Sequence, residues 1–304
     1  MNDGRLPRSA VLLMLLLCCV WGGNMAARKI GSKWLAPAFG AAVRSTVAAF
    51  LLYLWMRYKR VPLFPNRSLT IHGIIAGLLF GVEFGFIFMG LQYTLASRAY
   101  VYIYTHPFFV ALGAHFIFTH DRLNLPKTLG LSLAFGGVAL LFADNWGTTS
   151  SEMLRGDIML LTGGFFWGCT TLYIKKFIAG RAVALQTLFY QLAFSAPVLY
   201  ALSFLMEHSA VAEFQLYPAL AIAYQCVIVA FMSYLVWFDL MGKHPVSLLA
   251  AFTFFAPVLG VFISGVFILG EPLSANFFTA LALVAAGMIL VNMRPAPRSS
   301  KANA

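Results

Sequence analysis

The chain has 304 residues, of which 61% are hydrophobic and only 10% are charged, and its formal net charge is +11 at pH 7. Soluble domains carry roughly 25% charged residues, so this composition excludes a water-soluble globular protein. Because only helices and closed barrels satisfy their backbone groups in lipid, and the apolar stretches have helical length, we predict an all-α membrane protein.

Ten apolar stretches fill almost all of the chain. Most of them reach the roughly 17–25 residues that a helix needs to cross the hydrocarbon core. The loops between them are short and leave no room for a soluble domain. The predicted transmembrane helices cover residues 10–27, 38–56, 71–95, 99–118, 125–143, 156–173, 183–206, 216–241, 246–269 and 275–292. The expected environment of this protein is therefore a lipid bilayer.

The first stretch fits two interpretations. Arg5 and Arg8 precede an apolar run, as they would in a signal peptide. However, no cleavage site of small residues follows the run, and Arg28-Lys29 is typical of the end of a helix. We therefore predict that this helix is retained in the protein.

The last five stretches echo the first five. A unit of five helices crosses the membrane an odd number of times, so the second copy must be inverted relative to the first. We predict two inverted five-helix repeats, residues 1–146 and 147–304, that form one transport domain, because inverted repeats are typical of secondary transporters. The matching positions are Trp21-Gly22 with Trp167-Gly168, Pro107 with Pro257, Asp121-Arg122-Leu123 with Glu271-Pro272-Leu273, and Leu131, Leu133, Gly137 and Leu140 with Leu281, Leu283, Gly287 and Leu290.

The basic residues are distributed unevenly across the predicted membrane. If the N-terminus is cytoplasmic, most lysines and arginines fall in cytoplasmic loops, which is the positive-inside rule. We therefore predict that both termini are cytoplasmic and that the 144–155 loop is outside, and this accounts for the basic charge with no nucleic-acid partner. The exceptions on the outer side are Arg28, Lys29, Lys33, Arg98 and Arg155.

No motif of an enzyme or of an ATP-driven pump is present in the sequence. It has no phosphate-binding glycine-rich loop, no His-Glu-x-x-His metal motif and no Gly-x-Ser-x-Gly turn. The cysteines lie within apolar stretches, without the spacing of a metal site, at Cys18, Cys19, Cys169 and Cys226. We therefore predict no catalysis, no cofactor and no metal.

Glu83 lies at the centre of the third predicted helix, among phenylalanines. A charged side chain at that depth costs roughly 2.5–3.5 kcal/mol on insertion scales. Its carboxylate must therefore face a polar cavity, pair with a cation or carry a proton, and the last case would allow coupling to a proton gradient. A purely structural carboxylate is the alternative. Arg44, in the second helix, would then pair with Glu83, contact a substrate carboxylate or extend outward to the lipid headgroups.

Aromatic and amide side chains recur at similar depth in the first, fourth, sixth and eighth predicted helices. Tyrosine hydroxyls and an imidazole need polar partners at such depth. Trp21 and Trp167 also hold equivalent positions in the two repeats, whereas a scattered aromatic would more often serve packing. With Glu83, we predict a substrate site formed by Trp21, Asn24, Tyr104, His106, Trp167, Tyr234 and Trp237.

Pro107 and Pro257 each lie in the middle of an apolar stretch. Proline removes a backbone hydrogen bond there, which is tolerated where neighbours or cavity water satisfy the freed carbonyl. Because the two prolines are equivalent in the repeats, we predict that both are hinges of alternating access. Static kinks that serve packing are the alternative.

These features together resemble the EamA-type branch of the drug/metabolite transporter superfamily. The resemblance covers nearly the whole chain and depends on the order and spacing of the Trp-Gly pairs and of the Pro…Asp/Glu-x-Leu endings. Within that branch, Gly81-Val-Glu83, Tyr104-Thr-His106-Pro107 and Tyr234-Leu-Val-Trp237 are similar to YddG-type aromatic amino acid exporters. The resemblance implies a bacterial inner-membrane exporter with a cavity lined by Trp21, Glu83, Tyr104, Trp167, Tyr234 and Trp237; we add Asn24 and His106 from their depth and chemistry.

We therefore predict a secondary transporter, functional as a monomer, that exports neutral amino acids, including aromatic ones. An amino acid's ammonium group would meet Glu83 and aromatic faces, and its carboxylate would meet Arg44 or the N-terminus of a broken helix. The alternative within the class is export of drug-like organic cations, which need Glu83 and the aromatic residues but no anion site. A membrane enzyme and a structural scaffold are the alternatives from other classes, and neither accounts for the pattern of residues.

Overall fold

The computed structural model describes residues 6–94, 96–143, 150–263 and 275–293. Every regular element in this part of the chain is helical. The matching triplet Glu271-Pro272-Leu273, half of the predicted 144–155 loop and the basic tail from residue 294 lie outside the described residues. The α-helices are α1 Arg8–Gly31, α2 Pro37–Tyr58, α3 Arg67–Leu91, α4 Ala96–Ile103, α5 His106–Ile117, α6 Leu125–Leu141, α7 Ser151–Phe177, α8 Ala184–Met206, α9 Leu216–Tyr224, α10 Tyr234–Lys243, α11 Val246–Phe252, α12 Phe255–Phe262 and α13 Ala275–Val291.

Five helices of the described chain are long and apolar enough to cross a membrane. They are Arg8–Gly31, Pro37–Tyr58, Arg67–Leu91, Ala184–Met206 and the continuous stretch Leu216–Lys243. Shorter apolar helices cover Leu125–Leu141, Val246–Phe262 and Asn276–Val291. The length and apolar composition of these helices fit the membrane protein that the sequence predicts.

Side-chain caps determine where several helices begin. Asn66 accepts a hydrogen bond from the backbone N–H of Leu69 at 2.8 Å, and Asn124 accepts one from Lys127 at 2.9 Å. Each cap satisfies one of the backbone donors that an α-helix leaves unpaired at its start. The predicted sixth span, 156–173, is longer in the structure: it forms α7, which is capped by Ser150 and continues to Phe177.

The predicted fourth and ninth spans are each divided into two helices. α4 ends at Ile103 and α5 begins at His106, while α11 ends at Phe252 and α12 begins at Phe255. Pro107 and Pro257 therefore lie in the first turns of α5 and α12. A backbone N–H in the first turn of a helix has no helical partner, so proline, which lacks the N–H, removes no helical hydrogen bond there. The chain before each proline tightens to i→i+3 bonds, such as Thr105 N–H to Tyr102 O at 3.2 Å and Thr253 N–H to Ala250 O at 3.1 Å.

The predicted eighth span is continuous but not uniform. Between α9 and α10 it forms a π-helix over Gln225–Ser233. Such wide turns are rare and occur often at functional sites. Here the π-helix directly precedes Tyr234 and Trp237, both of which face the interior of the bundle.

The helices of the first half pack mainly against helices of the second half. The most extensive pairs are α6 with α13, α3 with α7 and α8, α2 with α8, α1 with α12 and α9, and α5 with α7. Glycine allows the closest of these approaches, because a Cβ on Gly130 would lie 2.5 Å from the carbonyl oxygen of Gly287 in the facing helix. Small residues at such positions are typical of helix pairs in membranes.

The bundle has two different ends. At the wide end, α1 and α3 finish and α2 begins, and their termini surround a cavity of about 590 Å³. At the narrow end, α7 and α10 finish and α6 and α11 begin. There Asp121, which is buried, accepts hydrogen bonds from Lys127 Nζ at 2.6 Å and from the backbone N–H of Ser247 at 3.0 Å. Lys175 Nζ also donates to the carbonyl oxygens of Met241 and His244.

Candidate functional site

A central cavity of about 120 Å³ lies between the two halves of the chain. It is lined by seven of the eight residues predicted to bind substrate, namely Trp21, Asn24, Glu83, Tyr104, Trp167, Tyr234 and Trp237. The other lining residues are Arg28, Phe80, Phe84, Ile87, Tyr100, Ile103, Thr170, Thr171, Ile174, Gln191, Phe238, Met241 and Thr253. These seven predicted residues are thus gathered in one place by α1, α3, α7, α10 and the break between α4 and α5.

One wall of the cavity is built around Trp21. Its indole N–H donates to Ser233 Oγ at 2.9 Å, which fixes the ring against the end of the π-helix. The ring makes edge contacts with Tyr234 and Trp237, with centroid distances of 6.3 Å and 5.6 Å. Because the indole N–H is bonded and two further rings pack against the indole, this wall is a preformed aromatic surface.

A second part of the cavity wall is built around Trp167. The imidazole of His106 stacks on its indole with a centroid distance of 4.0 Å and an angle of 6° between the planes. His106 itself is buried and does not line the cavity, so it supports Trp167 from behind. Its Nε2 lies 3.2 Å from Thr253 Oγ1, and this contact connects the break between α4 and α5 to the break between α11 and α12.

Glu83 contributes a buried carboxylate to the cavity wall. The residue is 2% exposed, and its Oε2 has no hydrogen-bond partner among the described residues. None of the ion pairs in the described part of the chain includes Glu83. Nearby amides are also incompletely bonded, since Asn24 Oδ1 and Gln191 Oε1 lack partners there. Buried polar atoms of this kind normally have a partner, so these groups are available to a ligand or to water.

Arg44 lies outside the central cavity and lines the cavity at the wide end. The ion pair with Glu83 considered from the sequence is not formed; instead the guanidinium carbon of Arg44 lies 4.9 Å from the ring centroid of Phe84. The two cavities meet at four shared residues, Arg28, Phe84, Tyr100 and Ile103. A ligand that moves from the central cavity to the wide end must pass this junction.

Toward the narrow end, the central cavity is separated from a smaller cavity of about 270 Å³. Three buried side chains, Ile174, Phe238 and Met241, line both spaces and form the layer between them. The hydrogen bonds of Asp121 and Lys175 lie at this same end of the bundle. At about 590 Å³, the cavity at the wide end is larger than this cavity of about 270 Å³ at the narrow end.

Several lining residues were not predicted as site residues from the sequence. Arg28 was interpreted as a helix end, yet it follows Trp21 and Asn24 by seven and four positions and lies on the same helical face. Thr170 follows Trp167 by three positions and could have been found in the same way. Gln191 is an amide in the interior of α8, where its depth alone was a signal.

The cavity offers binding groups rather than a reaction centre. The described residues contain no cluster of three His, Cys, Asp or Glu side chains that could hold a metal ion. A buried carboxylate, unpaired amides and aromatic faces can together bind a small molecule that carries a positive charge and an apolar group. This chemistry, in a bundle of apolar helices, is that of a membrane protein that binds a small solute.

The sequence profile of the EamA-like transporter family matches the chain twice, over residues 8–143 and 154–293. The chain belongs to this family, which confirms its resemblance to the EamA-type branch of the drug/metabolite transporter superfamily. It is a membrane transporter and not an enzyme.

Relatives and solved structures match almost the whole chain. An uncharacterized transporter of Bacillus subtilis, YoaV, is 23% identical over 92% of this chain and 95% of the relative. A protein of Salmonella typhimurium named "Probable amino-acid metabolite efflux pump" is 26% identical over 94% of this chain and 95% of the relative. One crystal structure is similar with a TM-score of 0.79 and 20% identity over 93% of this chain and 96% of that chain, which shows the shared fold alone.

Proposed function

We propose that the protein is a secondary transporter that exports neutral amino acids, aromatic ones included, across the bacterial inner membrane. The observation that carries this proposal is the buried carboxylate of Glu83, with Oε2 unpartnered, in a cavity walled by Trp21 and Trp167. An ammonium group can bind this carboxylate, and an aromatic or aliphatic side chain can lie against the indole faces. The name of the Salmonella typhimurium relative supports the substrate class and the outward direction.

The transport domain is proposed to consist of ten membrane-spanning segments in two inverted repeats, residues 1–146 and 147–304. If the two halves are exchanged, the main pairs of packed helices map onto one another. The pair of α1 and α12 corresponds to the pair of α7 and α5, and the pair of α3 and α7 corresponds to the pair of α9 and α1. The family profile also matches each half separately. In this arrangement the central cavity lies between the repeats, where secondary transporters bind their substrates.

The wide end is proposed to face the outside, with both termini in the cytoplasm and the protein active as a monomer. The argument is the excess of Lys and Arg in the loops of the opposite side. Reporter fusions at the C-terminus test this orientation. A reporter that is active only in the cytoplasm is expected there, and one that is active in the periplasm would contradict both the orientation and the inverted repeats.

Alternating access then requires the narrow end to open while the wide end closes. Pro107 and Pro257 are proposed as the hinges of this motion, since each lies beside a break that already interrupts a helix. The contact of His106 with Thr253 places these two breaks next to each other and next to the cavity. A bend at one break can therefore be transmitted to the other.

Transport by purified protein in liposomes tests the proposed substrate. Labelled phenylalanine, methionine and threonine are offered together with quaternary amines, with and without a pH gradient. Glu83→Gln is expected to remain folded and to lose most of the flux, because it removes the charge that binds the ammonium group. Full activity of Glu83→Gln across the pH range would exclude both an ammonium contact and proton coupling at Glu83.

The aromatic wall is tested with a matched pair of tryptophan variants. Trp167→Ala is expected to reduce the tolerance of expressing cells to toxic phenylalanine analogues. Trp55→Ala is the control, because Trp55 lies on the outer surface of α2 and is 43% exposed. If the liposomes move quaternary amines but no amino acid, the export of organic cations, which need the same carboxylate and rings, replaces the proposal.

A further inference from the structure

The cavity at the wide end has a buried arginine in its wall. Arg44 is 1% exposed, and its Nε and Nη2 have no hydrogen-bond partner among the described residues. None of the ion pairs in that part of the chain involves Arg44. A buried guanidinium is costly when it is unpaired, and charged residues within membrane helices usually mark a binding site.

Glu207 also lines this cavity, but its carboxylate already accepts hydrogen bonds from other groups. Glu207 accepts hydrogen bonds from the backbone N–H groups of Ala38 at 2.7 Å and Phe39 at 3.0 Å, and from Ser203 Oγ at 2.7 Å. These bonds cap the start of α2 and use both carboxylate oxygens. Glu207 therefore stabilises the start of α2 and forms no ion pair with Arg44.

A second guanidinium group, that of Arg28, lies close to the ring of Phe84, which Arg44 also contacts. The Arg28 Cζ atom is 5.8 Å from the ring centroid of Phe84, and the Arg44 Cζ atom is 4.9 Å from it. Phe84 and Arg28 belong to the junction between the two cavities. Two positive charges around one ring favour the binding of an anion there.

We propose that Arg44, together with Arg28, forms a subsite that binds the carboxylate group of the substrate at the junction of the two cavities. A guanidinium group suits this role because its planar donors match the two oxygens of a carboxylate. Glu83 precedes Phe84 in α3 and faces the central cavity, so the ammonium and carboxylate sites lie on either side of one aromatic residue. This inference rests on the proposed function and narrows it, because the substrate must then carry both charges.

The wild-type protein provides the first test, with ligands that differ in one charge. Phenylalanine, phenylalaninamide and hydrocinnamate share the same ring, but the second lacks the carboxylate and the third lacks the ammonium group. Transport of phenylalaninamide, at a pH that keeps its amine protonated, is expected to be slower by about ten-fold or more, as the loss of a charged hydrogen-bonded pair predicts. Equal transport of phenylalanine and phenylalaninamide would overturn the subsite.

Variants of the arginine provide the second test. In Arg44→Gln, the preference for phenylalanine over phenylalaninamide is expected to fall to near one, and Arg44→Lys should retain part of it, because lysine keeps the charge but not the planar donors. Lys29→Gln is the matched control, since Lys29 lines the same cavity, is exposed and loses the same charge; its preference should be unchanged.

The possible outcomes separate this inference from the proposed function. If Arg44→Gln moves phenylalanine with unchanged preference over phenylalaninamide, the subsite is wrong while amino acid export stands. If wild-type protein moves organic amines and no amino acid, the proposed function itself fails. If chloride or phosphate inhibits transport of phenylalanine and of phenylalaninamide equally, the arginines bind inorganic anions and the subsite is likewise overturned.

Discussion

The hydrogen bonds of Asp121 are expected to hold the narrow end of the bundle closed. The Asp121 carboxylate accepts from Lys127 Nζ at 2.6 Å, from the backbone N–H of Ser247 at 3.0 Å and from the Ser247 hydroxyl. It thereby connects the loop before α6 with the first turn of α11, which belongs to the other half of the chain. Both charged side chains are buried, so solvent does not compete for them.

The size of the effect follows from this burial. Asp121→Asn keeps the shape of the side chain but leaves the Lys127 ammonium without its counter-ion, and breaking a buried pair costs about 3–5 kcal/mol. Since about 1.4 kcal/mol corresponds to a factor of ten, the equilibrium between closed and open narrow ends should shift by about 100-fold or more. A remaining bond from Lys127 Nζ to the carbonyl oxygen of Arg122, at 3.4 Å, will reduce this shift.

A single cysteine can report the opening. Met241 is 1% exposed and belongs to the layer between the central cavity and the narrow end. In a background without the native cysteines, Met241→Cys is treated with a membrane-impermeant maleimide from the side of the narrow end. We expect labelling to be at least about ten-fold faster when Asp121→Asn is added, because the remaining bond of Lys127 to Arg122 reduces the shift of about 100-fold.

The control breaks a different ion pair at the same end. Asp239 and Lys243 form a pair at 2.6 Å in which both side chains are more than half exposed. Such i,i+4 pairs contribute only about 0.3–0.5 kcal/mol, so Asp239→Asn should leave labelling almost unchanged. Unchanged labelling in folded Asp121→Asn would refute the reasoning, and equal acceleration in both variants would mean that the end merely loosens.

Two further predictions concern helix breaks and helix packing. Pro107→Ala and Pro257→Ala should remain folded and slow transport in liposomes, because alanine permits a continuous helix across the break; unchanged flux in both variants and in the double variant would mean that the breaks are only architectural. Gly130→Ala should lower stability by about 1–3 kcal/mol, because its Cβ would lie 2.5 Å from the Gly287 carbonyl oxygen. Gly136→Ala in the same helix meets no atom within 4 Å and should be neutral or stabilising by up to about 1 kcal/mol, so similar thermal unfolding shifts in the two variants would contradict this packing.

The sequence was sufficient to predict the helical class and seven of the residues that line the central cavity. Trp21 and Trp167 could be found because each occupies the same place in its half of the chain, and Glu83 because a carboxylate at that depth has few other uses. Arg28 was missed because a basic residue near a helix end also fits a headgroup contact. Helical periodicity assigns such a residue to a face but does not show whether that face meets lipid or a cavity.

Long-range contacts could not be predicted from local patterns. The bonds between Asp121 and Ser247 join residues 126 positions apart, and nothing near either residue specifies the other. The same is true of His106, whose contact with Thr253 depends on how two broken helices meet. Its depth correctly indicated a polar partner, but the partner is a hydroxyl of the protein, and the side chain lies behind the wall that it was expected to form.

The π-helix at Gln225–Ser233 gives the two halves of the chain unequal roles. A wider turn accommodates additional residues over the same rise. Each residue added to a helix rotates the side chains that follow it by about 100° around the helix axis. The side chains that follow, Tyr234 and Trp237, line the cavity, and the winding of the π-helix before them sets the direction in which they point. In the first half of the chain, α3 is regular along its length and presents Glu83 to the cavity instead. Loss of one residue from 225–233 would thus turn both rings away from the solute path while preserving every charge in the molecule.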